Sequence, residues 1–231
     1  MKILAIETST MLGGIAIADD SGLIAEVRLN VKSTHSERLM TETDHILKQS
    51  GLMISDIDVF AVATGPGSFT GLRIGLSTVK GFSYATGKPI VSVPTLEAFA
   101  WSFPYCRYPV CAMLDARKKE VYTALFKWDG EGFTRLIDKV SIKVNRMLED
   151  IRLLSAGKII FTGEGAILYK DEIVNIMGED AIFASIDKMI PAPSNVAAIA
   201  MKKALRGEFS EPVSLVPFYL RRSEAEIKRD D

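Results

Sequence analysis

The chain has 231 residues, 48% of them hydrophobic and 25% charged, enough to bury one large core or two smaller ones. A net charge of −1 excludes a free-standing nucleic-acid binder of the strongly basic kind, so in an RNA-directed role another component would supply most phosphate contacts. The two cysteines, Cys106 and Cys111, lack the four-ligand set of a structural zinc site and read as reduced thiols. "MKILAIETST" reaches Glu7 after four apolar residues, too short for a secretion signal. No apolar run attains the roughly 18 residues of a membrane helix, so the cytoplasm is the expected compartment and no membrane partner is expected.

In chain order, "KILAIE", "GGIAIAD" and "SGLIAEVRL" read as three strands joined by tight turns, an antiparallel meander. A helix is expected over Ser36–Ser50, where Leu39, Met40, Thr43, Ile46 and Leu47 share a face. Ser33 or Ser36 caps its start, and Gly51 supplies the left-handed residue after its end. "DVFAVATG" is an unbroken apolar strand, suited to cover on both faces. A loop at Gly65–Ser68 leads into a helix over Phe69–Thr86, then come the strand "GKPIVSVP" and the short helix "TLEAFAWSF", with Thr95 as its cap. The pattern then restarts. "YPVCAMLD" is a strand ending in an acid, and "EVYTALFKWDGEGFTRL" is two strands around an Asp-Gly turn. A helical stretch "NRMLEDIRLL", a strand "KIIFTGEGA" and a helix over Asn195–Leu205, capped by Ser194, complete the pattern.

The two halves overlay without a gap, Glu7 falling on Asp115 and Gly22 on Gly130, each 108 positions on. An acid ending the first strand of both halves suggests a duplicated unit. Mixed antiparallel and crossover connections make it an α/β layered domain built twice. The expected fold is therefore a duplicated actin-like, two-lobed α/β fold of the ribonuclease H-like and sugar-kinase class, with mixed sheets flanked by helices. Residues 1–103 would form the first lobe and 104–193 the second, with 194–231 returning to the first. In that architecture both hairpins close on a nucleotide's phosphates, so Glu7, Ser9, Thr10, Asp115 and Arg117 are the candidate nucleotide-facing residues. Gly163 and Gly165 of "FTGEGA" would let a ligand approach the backbone, or else form a plain strand-to-helix turn. His35 and His45 lie too far apart on a helix to share a metal ion, and no nucleophile–base set is visible, so no catalytic or metal-binding residues are assigned.

The run "GPGSFTGLRIGLSTVKG" has two readings. Ser68 caps a helix whose free amides favour an anion, but no Lys-Ser/Thr follows the last glycine as it would in a Walker loop. Gly71, Gly75 and Gly81 each weaken the helix, so close approach of another helix is the expected return. Leu72, Leu76, Val79 and Ser83 form one face; Ile74, Thr78, Phe82 and Ala85 form another.

That run, with "HSERLM" before it, the N-terminal "ILAIETST", the later "LDARKKEVYTALF" and the late "YLRR", resembles the TsaB (YeaZ) family, glycoprotease-like proteins of bacterial tRNA threonylcarbamoyladenosine biosynthesis. The resemblance extends from about Met1 to Arg222. It implies an actin-like fold and a non-catalytic scaffold that pairs with a TsaD-type transferase, is joined by a TsaE-type ATPase, and forms a homodimer when alone. The transferase carries a metal-binding His-x-x-x-His motif that this sequence lacks. Pairing is implied through the first two long helices, with His35, Ser36, Leu39, Met40, Thr43, Leu47, Gly71, Leu72, Ile74, Gly75, Thr78, Val79 and Phe82 as the interface. No cofactor is required by the chain alone; ATP or ADP belongs to the complex, and tRNA is met only through it. The alternative is a small actin-like ATPase or phosphotransferase acting on its own. The family's older peptidase name has no nucleophile or metal set behind it.

Overall fold

A computed structural model of the chain describes residues 1–30 and 35–218. In order, the elements are β1 (Ile3–Glu7), β2 (Leu12–Asp19), β3 (Gly22–Asn30), α1 (His35–Gln49), β4 (Val59–Ala63), α2 (Phe69–Thr86), β5 (Ile90–Val93), α3 (Thr95–Ala100), β6 (Val110–Arg117), β7 (Glu120–Trp128), β8 (Phe133–Lys143), α4 (Val144–Leu153), β9 (Ile159–Thr162), α5 (Glu164–Leu168), α6 (Lys170–Met177), β10 (Ala181–Phe183) and α7 (Pro193–Leu205). They fall into two units. The first joins Met1–Ala98 to Ala192–Phe218, and the second holds Phe99–Pro191.

The first unit is a five-stranded sheet in the order β3-β2-β1-β4-β5. β1, β2 and β3 form an antiparallel meander, and β4 and β5 run parallel to β1. The two-residue period of a strand divides β1 between the faces of the sheet. Leu4 and Ile6 pack into a core with Ile15, Ile17, Phe60, Leu76 and Val79, together with Leu39, Ile46 and Leu47 of α1. Ile3, Ala5 and Glu7 alternate to the other face. α7 packs on β1, β2, β4 and β5. Its start, Pro193, abuts Gly14, where a Cβ would lie 2.7 Å from the Pro193 ring.

Two of the expected caps differ. α7 begins one residue before Ser194, with Ala192 at the N-cap, so Ser194 sits inside the first turn. Its amide and hydroxyl both donate to Glu26 of β3, at 2.9 and 2.8 Å, and that carboxylate serves the helix terminus in place of a local cap. Burial alone would raise the Glu26 pKa, but the hydrogen bonds from Arg28 and Ser194 more than offset it and hold it low. A group with a lowered folded pKa stabilises above its ordinary value, and that stability is lost as pH falls through the lowered one. Glu26→Ala is therefore expected to cost about 1–2 kcal/mol at neutral pH in chemical denaturation, with the difference from wild type shrinking below about pH 4. Thr95, expected as a cap, instead accepts the Gly65 amide through its hydroxyl at 3.2 Å. Ser33 lies outside the described residues, while Gly51 takes the left-handed φ of +66° expected of it.

The second unit repeats the scheme, with the order β10-β9-β6-β7-β8, a meander of β6, β7 and β8, and β9 and β10 parallel to β6. Gly22 and Gly130, paired by the overlay, both take positive φ at the same turn of the meander. α4 and α6 cover one core with Cys111, Met113, Leu125, Leu148, Phe161 and Ile173. "FTGEGA" is a strand-to-helix turn, since α5 starts at Glu164. No helix among the described residues is long and apolar enough to cross a membrane.

Candidate functional site

The link from β4 to α2 is a clasp built from main chain. Thr64 accepts from the Phe218 amide at 2.8 Å and donates its own amide to Val93. Gly65 exchanges bonds with Thr95, its amide to the Thr95 hydroxyl and its carbonyl from the Thr95 amide at 3.0 Å. The Gly65–Pro66 bond is cis, and Gly65 has φ +114°. Gly67 lies on Ser9, where a Cβ would stand 2.7 Å from the Ser9 Cβ. The Ser68 amide donates to the Ser9 carbonyl at 2.7 Å, and the Ser68 hydroxyl accepts from the Gly71 amide, capping α2 as expected. The Ser68 and Gly71 amides and the Ser68 hydroxyl of a would-be anion cradle are thus engaged within the unit.

The glycines of α2 answer to two different neighbours. At Gly71 a Cβ would overlap the Thr8 carbonyl oxygen, and at Gly75 the Thr8 hydroxyl. That hydroxyl donates to the Gly71 carbonyl at 2.8 Å. The close approach expected of a partner helix is made by the end of β1 instead. Gly71, Leu72, Gly75 and Val79 are buried here, as are Leu39, Thr43 and Leu47 of α1, so none of them presents a side chain to a partner. The helical period puts these residues on the sheet-facing stripe, which sequence alone does not distinguish from a partner-facing one. Met40 is 54% exposed, and Ile74, Thr78 and Phe82 are half-buried at the margin of the same core. The side chains of His35 and Ser36 lie outside the described residues. At the start of α2, the Arg73 guanidinium lies 3.7 Å over the Phe69 ring.

Among the nucleotide-facing candidates, Glu7, Ser9 and Ser68 come together. Glu7 is fully buried and accepts from the Ser9 amide at 2.8 Å and from the Ser9 hydroxyl, all on Oε1, while Oε2 has no hydrogen-bond partner among the described residues. Burial raises its pKa from the ordinary 4.5 to about 7, with the Ser9 bonds opposing in part. Thr10 is turned inward and donates to the Leu12 carbonyl. In the second unit Asp115 accepts from the Arg117 amide at 3.0 Å and from Tyr169 at 3.2 Å. Glu164 stands near it, its pKa raised by burial and then by the Asp115 charge. Gly163 and Gly165 lie against the Met113 backbone, so their missing side chains allow close strand–helix packing. Burial pushes the Cys111 thiol up to about 12, which keeps it protonated and inert. Sequence reasoning missed Thr8, which packs under α2, and gave Thr95 a capping role in place of its bonds to Gly65; the four-residue spacing of Gly71 and Gly75 is the signal that one close neighbour serves both.

Two sheets of identical order, each a meander followed by two parallel strands, define a duplicated actin-like protein. A structure described as an uncharacterized protein with similarity to peptidase YEAZ, from Pseudomonas aeruginosa, superposes with a TM-score of 0.81 at 24% identity, covering 95% of this chain and 99% of that one. An inorganic polyphosphate/ATP-glucomannokinase from an Arthrobacter strain shares the fold at a TM-score of 0.55 and 9% identity, covering 87% of this chain and 99% of its own. The family model described as TsaD, tRNA N6-adenosine threonylcarbamoyltransferase, matches residues 23–229. The tRNA threonylcarbamoyladenosine biosynthesis protein TsaB of Bacillus subtilis is 32% identical over 231 residues, 99% of this chain and 97% of its own length. The chain belongs to the TsaB (YeaZ) family, within the TsaD-type proteins of tRNA threonylcarbamoyladenosine biosynthesis.

Proposed function

We propose that this protein is a cytoplasmic, non-catalytic subunit that pairs with a TsaD-type transferase, and with a TsaE-type ATPase, in threonylcarbamoylation of the adenosine beside the anticodon of tRNAs reading A-starting codons. The observation that carries the reading is the end-to-end likeness to a relative named for that pathway. A loop whose Gly65 groups bond Thr95 and whose Ser68 amide and hydroxyl are engaged within its own unit supports a scaffold over a phosphate binder. Alone, the chain forms a homodimer through the surface it otherwise gives the transferase. ATP or ADP is a ligand of the assembled complex.

The pairing surface is the outward margin of α1 and α2, with Met40, Ile74, Thr78 and Phe82 at its centre. Met40 is an exposed, adaptable apolar side chain of the sort interfaces favour. Met40→Asp together with Thr78→Arg is expected to weaken binding to the transferase at least about tenfold in calorimetry, with the melting temperature of the free chain held. Co-purification of that double variant at wild-type yield would count against this surface. Gly75→Arg and Leu39→Asp are poor probes, because both positions are buried inside the unit and would act through unfolding.

The free-standing ATPase reading needs an ionised carboxylate to hold a hydrated metal beside the phosphates. Glu7 is poorly suited, with one oxygen taken by Ser9 and a pKa of about 7. Titration of the isolated chain with Mg-ATP is expected to release no heat at millimolar nucleotide.

A further inference from the structure

Gly81 differs from the other glycines of α2. A Cβ built there meets nothing within 4 Å, so packing inside the unit gives no reason for a residue that weakens the helix. Helical side chains lean toward the N-terminus, over the residues three and four positions earlier, which sets Tyr84 above Gly81 and Lys80. Tyr84 is 95% exposed. Beside it a cavity of about 510 Å³ opens between the end of α2 and the segment from Phe209 to Val213, lined among others by Lys80, Tyr84, Lys88, Phe209 and Glu211. The far wall is fixed in place. Ser210 donates its amide to the Ile90 carbonyl at 2.8 Å, and its hydroxyl bonds to that of Ser92 at 2.9 Å, sealing the edge of β5. Two ammonium groups outnumber the single lining carboxylate, and among the described residues Lys80 has no ion-pair partner, while Lys88 reaches Asp58 only at 4.0 Å.

We propose that this cavity takes an unstacked nucleotide of an RNA strand, the base on the Tyr84 ring, against Phe209, with its phosphate between Lys80 and Lys88. Aromatic faces flanked by lysines are the chemistry that holds single-stranded nucleic acid, and a stack on one ring tolerates any base. A free nucleotide is the weaker occupant, because small-molecule sites enclose most of their ligand and a ring this exposed encloses little. The inference rests on the tRNA reading above and adds a contact made by this chain itself.

The test is fluorescence anisotropy of the full-length protein with a labelled single-stranded oligoribonucleotide at fixed salt, with AMP as competitor, for wild type, Tyr84→Ala, Lys80→Glu and Gly81→Gln. Wild type is expected to bind the oligonucleotide, with AMP a much weaker competitor. Tyr84→Ala and Gly81→Gln should each lose about tenfold, and Lys80→Glu should flatten the salt dependence. Gly81→Gln should melt no lower than wild type, which separates occlusion from unfolding. Equal binding by wild type and variants, no wild-type binding, AMP competing as well as the oligonucleotide, or a changed oligomeric state in place of changed RNA binding would each overturn the site. Threonylcarbamoyladenosine levels in complemented cells keep the two readings apart. If wild type restores the modification but Tyr84 is irrelevant to RNA binding, only this site falls; if wild type restores nothing, the tRNA reading falls and takes the site with it.

Discussion

Gly71→Ala is expected to lower the stability of the protein by about 3–4 kcal/mol, a fall of about 10 °C in melting temperature. The added methyl would overlap the Thr8 carbonyl oxygen, an atom of the main chain just past the central strand, which cannot swing aside as a side-chain tip would. Relief requires α2 to lift off β1. That movement breaks the Thr8 hydroxyl bond to the Gly71 carbonyl and disturbs the Ser68 cap, whose hydroxyl accepts from the Gly71 amide. Gly81→Ala is the control. The same substitution on the same helix meets nothing within 4 Å and is expected to raise stability by roughly 0.5–1 kcal/mol, the ordinary gain of alanine over glycine in a helix. Two alanines of opposite sign, read by thermal melting, test whether the glycines serve the fold. A Gly71→Ala protein melting within about 2 °C of wild type would show that the approach of α2 to Thr8 is not tight.

Glu7→Gln is expected to stabilise the protein in a pH-dependent way. The folded pKa, about 7, lies above the ordinary 4.5, so between those values the folded state holds a proton that the unfolded chain has released. Stability of the wild type therefore falls as pH rises through this window. Above it the group costs roughly 3 kcal/mol relative to its protonated form, at 1.36 kcal/mol per pKa unit. Glutamine carries no charge to desolvate and keeps an oxygen for the two Ser9 donors. The gain should be about 2–3 kcal/mol at pH 8 and vanish near pH 4.5, in urea denaturation across that range. A gain that does not change with pH would mean that the folded protein leaves the Glu7 carboxyl at its ordinary pKa.

Much of the fold is legible because its signals are local. The first-half meander, the capped start of α2 and the left-handed Gly51 all follow from short patterns, and the repeat follows from the equivalence of Glu7 with Asp115 and of Gly22 with Gly130. What escapes is set by residues distant in sequence. Ser194 looks like a cap until Glu26, 168 positions away, occupies the helix terminus. Gly71 and Gly75 look like a seam for a partner until Thr8, 63 positions before Gly71, fills it. A stripe of small and apolar residues reports that something packs closely there, and tertiary context alone decides what. For the candidate interface this leaves Met40, Ile74, Thr78 and Phe82 from a longer set. α6 and β10, 8 and 3 residues long, are too short to stand out in sequence.

The central claim is that this chain supports threonylcarbamoylation of tRNA by pairing, with no chemistry of its own. It is tested most directly by expressing the chain, with its cognate TsaD-type transferase, in cells depleted of their own TsaB, and measuring threonylcarbamoyladenosine in tRNA by mass spectrometry. The account predicts near-normal modification with wild type and with Glu7→Gln, and a loss of at least about tenfold with the Met40→Asp, Thr78→Arg pair. Full modification with the double variant, or none with wild type, would contradict it.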